Sequence, residues 1–145
     1  MISDNPMPFI RQGAAAVLLI TLTLLFESAG MVALIQWGKT HFVPDLSTLS
    51  PLRSGVIVVQ FTSVIIVGHT LQILLWAAFY RWNCFPSWES AIYFSVTSYS
   101  TVGYGDVVLP PRWRTLGPAE GLTGVLMCGL SASFLFAVVT RLLQR

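Results

Sequence analysis

Thr101-Val102-Gly103-Tyr104-Gly105-Asp106 lies between two long apolar runs and is unlike either of them in composition. Its glycines stand at alternate positions, and glycine enters backbone angles that residues with a Cβ avoid. Successive carbonyls can therefore turn to one side instead of alternating as they do in a strand. The product is a ladder of oxygens, a surface suited to replacing the water around a cation. One ladder is only one wall; four around an axis give stacked oxygen rings.

The rest of the chain defines where such a loop can sit. Of 145 residues 54% are hydrophobic and 10% charged, and the mean hydropathy is +0.72. An ordinary soluble domain is excluded by that balance. A net charge of +2 is too small to argue for nucleic acid. The length fits one module, with no room for a separate catalytic domain. Cys84 falls in a polar turn and Cys128 inside an apolar run, so a disulfide between them is not expected. No metal-ligand spacing, nucleophile constellation or phosphate loop is present, so the chain is not read as an enzyme, and no cofactor is expected.

About 20 helical residues cross a bilayer. Three runs are long enough: residues 14 to about 37, 55 to about 82, and 116 to 143. The expected fold is an all-α membrane protein of three transmembrane helices. Residues 1–54 hold the first helix and a loop, and residues 55–145 the remainder. A signal peptide in place of the first helix is disfavoured, because its best cleavage-like site, at Ser28-Ala29-Gly30, splits the apolar run. Between the second and third runs, Ser87 follows Pro86 as a natural N-cap, and Glu89 complements the first-turn dipole. A helix over 87–99 is too short to span, so it descends partway and returns through 101–106, tolerable only inside protein or along a water-filled path.

The six residues resemble the selectivity filter of potassium channels, and the order of segments from about 85 to 140 is similar to that family's two-helix pore module. The resemblance implies a homotetramer conducting potassium passively, with potassium as the transported ion. Its sites would be built from the carbonyls of Thr101, Val102, Gly103, Tyr104 and Gly105, with the Thr101 hydroxyl adding the innermost ring. It further implies that Tyr104 packs on pore-helix aromatics, that Tyr93 and Phe94 brace the filter, and that Asp106 draws cations to the mouth. Thr97 departs from some bacterial relatives, in which a glutamate holds the mouth aspartate; Tyr93 is the alternative partner. Gly129 occupies the place of a hinge glycine, although Gly121, Gly124 and Gly129 equally suit close helix packing. Ser133, Phe136, Ala137 and Thr140 are candidates for the inner mouth. Two other readings are a non-conducting regulatory subunit of a heteromeric channel and a piece of a potassium uptake transporter.

Charge does not orient the chain: Lys39, Arg53, Arg141 and Arg145 on one side balance Arg11, Arg81, Arg112 and Arg114 on the other. The resemblance puts the C-terminus in the cytoplasm, Met1 outside, and the protein in a plasma membrane such as the bacterial inner one. Tyr80, Trp82, Phe85, Trp88 and Trp113 suit the outer interface, and Trp37 the inner. No row of arginines precedes the pore segment, and nothing after the last helix is long enough for a regulatory domain. Two residues are out of place in hydrocarbon. Glu27 and His69 lie at depths that differ by roughly 6 Å at about 1.5 Å per residue, within side-chain reach. They are expected to pair, as a clasp or a proton sensor, with Gln72 or Ser28 as further partners.

Overall fold

The computed structural model describes residues 6–41 and 50–143. Four α-helices follow one another, α1 (Pro6–His41), α2 (Pro51–Asn83), α3 (Trp88–Tyr99) and α4 (Leu116–Leu143), with a 3-10 turn at Pro111–Trp113 and no strand among the described residues. α1, α2 and the turn with α4 are each long and apolar enough to cross a membrane. The protein is an all-helical membrane protein. Residues 42–49 of the expected loop between α1 and α2, and the chain ends at Met1 and Arg145, lie outside the described residues.

Several boundaries differ from expectation. α2 starts at Pro51 rather than 55, because the Ser50 side chain accepts from Arg53 N and proline suits the first helical position, where its missing N–H is no loss. α1 extends beyond its apolar run at both ends. α3 begins one residue after the expected Ser87, which is its N-cap and accepts from Ser90 N at 3.2 Å. α2 ends where Cys84 N and Phe85 N both bond Tyr80 O, just ahead of Pro86.

Packing directions follow from paired residues. Thr23 meets Trp76, Glu27 meets Gln72 and Trp37 meets Phe61, so α1 and α2 run antiparallel. Gln12 meets Thr115 and Glu27 meets Ser131, so α1 and α4 run parallel. Gln12, Leu19, Thr23 and Leu34 are the buried positions of α1, a stripe at helical spacing that faces the other helices, with Ala15, Ala16, Ile20, Glu27 and Trp37 half-buried and most of the remainder exposed.

Two apolar clusters occupy opposite ends of the bundle. One joins Leu19, Trp76, Tyr80, Phe94, Trp113 and Leu116 with their neighbours; the other joins Leu34, Ile57, Phe61 and Leu142. Between them lies a polar layer of Glu27, Gln72, Ser131, Tyr99 and His69. The twelve residues of α3 rise about 18 Å, too little to span. α3 packs between α2 and α4, and the chain then returns to the end it left. There Arg112 Nη2 donates to Asn83 O at 3.0 Å and Trp113 meets Phe79 edge-on at 5.2 Å.

Candidate functional site

Residues 101–106 leave the end of α3 with a regular alternation of backbone hand. Thr101, Gly103 and Gly105 have φ of 61°, 51° and 80°, and no other described residue has a positive φ. Two of the three are glycine, for which this region is free; Thr101 is β-branched and strained there. An alternation of this kind allows neighbouring carbonyls to turn to a common side. Two backbone bonds fix the loop to the helix: Thr101 N donates to Ser98 O at 2.9 Å and Gly103 N to Thr97 O at 3.0 Å.

All six residues are exposed on the chain taken alone, Tyr104 by 73% and Val102 by 51%. Tyr104 makes no ring contact among the described residues. The expected packing of Tyr104 on pore-helix aromatics is therefore not made within one chain. Tyr93 and Phe94 divide. The Tyr93 hydroxyl donates to Asp106 Oδ2 at 2.7 Å, a bond that pushes the phenol pKa up. Phe94 turns into the core, edge-on to Tyr80 at 5.1 Å and tilted against Phe85 at 5.6 Å. Thr97 Oγ1 bonds back to Tyr93 O and Phe94 O, so its hydroxyl serves the helix and only its carbonyl serves the loop.

α4 carries the loop from behind through glycines. A Cβ at Gly124 would lie 2.1 Å from Tyr99 O, and one at Gly121 3.1 Å from Ser98 O. Both glycines are packing residues, letting two backbones approach. Gly129 differs, with open space around it. Near it, Ser133 Oγ bonds Gly129 O, Phe136 is 73% exposed, and Ala137 and Thr140 continue along the helix. Cys84 and Cys128 are free thiols, and burial pushes the Cys84 thiol up to about 11 against the lowering effect of Arg112.

The expected Glu27–His69 pair is not made. Glu27 Oε2 accepts from Gln72 Nε2 at 2.6 Å and Oε1 from Ser131 Oγ at 2.7 Å, while His69 Nδ1 lies 2.9 Å from the Tyr99 hydroxyl. His69 and Gln72 are one turn apart on the same face, and Gln72 stands at the level of Glu27. Sequence reasoning also missed Glu120. This carboxylate is fully buried, with the Tyr80 hydroxyl donating to Oε2 at 2.8 Å and Ser95 Oγ to Oε1, tying α2, α3 and α4 together. An acid inside an apolar run, the sign that singled out Glu27, marks it equally well.

A family model described as "Ion channel" matches residues 61–141, more than half of the chain. No curated protein and no solved structure matches it.

Proposed function

Because this chain belongs to the ion channel family, we propose that it is one subunit of a homotetrameric pore selective for potassium. The family conducts ions and is not one of enzymes. The observation that carries the finer reading is the left-handed backbone at Thr101, Gly103 and Gly105, which a ladder of carbonyls aimed at one axis requires.

Four such strands supply oxygen rings from Thr101, Val102, Gly103 and Tyr104, with Gly105 allowing the last turn. The exposed Val102 and Tyr104 are surfaces for a neighbouring subunit, and Tyr104 finds there the aromatic packing that its own chain lacks. Four α3 helices aim C-terminal dipoles at the space beneath the rings, favouring a cation. At the opposite end Asp106, held by Tyr93, contributes a ring of carboxylates that raises local cation concentration. The segment between α2 and α4 enters and leaves from the outer face, and the C-terminus is cytoplasmic, in a plasma membrane such as the bacterial inner one. Gly129, free of neighbours, is the point at which α4 bends.

Ion flux into liposomes holding only this protein tests the proposal. Potassium and rubidium should enter, sodium should not, and Gly103→Ala should abolish the flux while membrane insertion persists. Parent-like flux through Gly103→Ala would show that residues 101–106 are not the ion path.

A further inference from the structure

Side-chain hydrogen bonds join α1 to the other helices at three levels. Gln12 Oε1 accepts from Thr115 N and Oγ1 ahead of α4; Thr23 Oγ1 accepts from Trp76 Nε1 at 3.0 Å; Glu27 accepts from Gln72 and Ser131. The first two end where they begin. The third continues: Gln72 Oε1 accepts from the Tyr99 hydroxyl at 2.6 Å, and that hydroxyl meets His69 Nδ1.

Proton bookkeeping gives this chain of groups one direction. Both Glu27 oxygens receive a donor, Gln72 on one and Ser131 on the other. Gln72 can satisfy Glu27 only with its NH2, which leaves its carbonyl oxygen toward Tyr99. The single phenol proton then goes to Gln72, and the Tyr99 oxygen is left to accept from His69 Nδ1–H. An acceptor at Glu27 thus fixes the amide of Gln72 and, through it, the phenol of Tyr99.

Tyr99 is the last residue of α3, two before Thr101 and 3% exposed, and its carbonyl lies directly against Gly124. Its ring and its carbonyl hold the turn from which the strained Thr101 departs. We propose that Glu27 is a positioning residue for the ion pathway, acting through Gln72 on Tyr99, so that α1 tunes selectivity as well as anchoring the bundle. The proposal rests on the filter reading of residues 101–106.

The test reads two quantities on the full chain reconstituted in liposomes: relative potassium-to-sodium permeability and melting temperature. Glu27→Leu and Tyr99→Phe should each lower the permeability ratio by about fivefold, the scale of one lost net hydrogen bond. In the double variant the ratio should fall no further than in Tyr99→Phe alone. Glu27→Gln should keep the parent ratio, because its carbonyl still accepts from Gln72 and its NH2 can donate to Ser131. Thr23→Val is the structural control: it removes the Trp76 bond, and should lower the melting temperature with the ratio unchanged. If Glu27→Leu does not insert, Tyr99→Phe, which lacks only a hydroxyl, carries the test. A parent ratio in Tyr99→Phe, or a Glu27→Leu that behaves like Thr23→Val, overturns the proposal. A parent protein that does not discriminate potassium from sodium overturns the filter reading instead.

Discussion

Thr101 holds a left-handed backbone at φ 61° that costs a β-branched residue on the order of 1–3 kcal/mol, and the fold tolerates it where the proposed oxygen ladder begins. Gly103 at φ 51° and Gly105 at φ 80° adopt the same hand without that cost. A side chain at 103 adds about 1–2 kcal/mol of strain per subunit to a loop that is already strained, so Gly103→Ala should lose selective flux before it loses the fold. Tyr93→Phe leaves Asp106 without its hydroxyl donor, and the expected outcome is a less durable conducting state, read as faster decay of flux. Because the bond to Asp106 raises the Tyr93 pKa, its contribution is complete below the ordinary phenol pKa and is lost as pH climbs through the raised one. Cys84 gives a second pH readout. With its thiol pushed up to about 11, thiol-reagent labelling in the folded protein should be slow at neutral pH and accelerate only toward that value, whereas in the denatured chain it accelerates from about 9.

At the scale of elements, the seat of α3 on α4 decides whether the loop is held. Gly124→Ala drives a Cβ to 2.1 Å from a backbone oxygen, which cannot rotate away, and should destabilise the protein by about 1–3 kcal/mol. Gly129→Ala meets nothing within 4 Å and should leave the melting temperature unchanged; a reduced flux from that variant is the outcome the hinge reading expects. Glu120→Ala strands the buried Tyr80 hydroxyl and opens a cavity, so a loss of about 2–4 kcal/mol is expected from thermal or denaturant unfolding.

The existence of all four helices was legible, since hydropathy marks the spans and Ser87 with Pro86 marks the short one. Their ends were less so. Ser50 and Pro51 form a cap signal that an apolar-run criterion passes over. Which partner Glu27 takes was legible only as a depth. Choosing Gln72 over His69, one turn away, depends on the register of α1 against α2, and that register is a property of the whole packed surface rather than of sequence spacing. The glycine motif identified the loop, but Phe94 turning inward and Tyr104 outward follows from neighbours that sequence spacing does not supply.

At the scale of the whole molecule, α3 and α4 hold a loop that one chain leaves exposed, and in the proposed assembly four chains close it. Cross-linking of the reconstituted protein should therefore stop at a tetramer. No described helix carries a row of arginines; the cations Arg11, Lys39, Arg53 and Arg81 lie near helix ends. With no such helix among those described to convert about 2.3 kcal/mol per charge per 100 mV into opening, the open probability of this chain's pore should depend weakly on voltage. The central claim is selectivity for potassium, and it is tested most directly by the reversal potential of the purified protein in a bilayer between opposed potassium and sodium gradients. The account predicts a reversal close to the potassium equilibrium potential; a reversal near zero contradicts it.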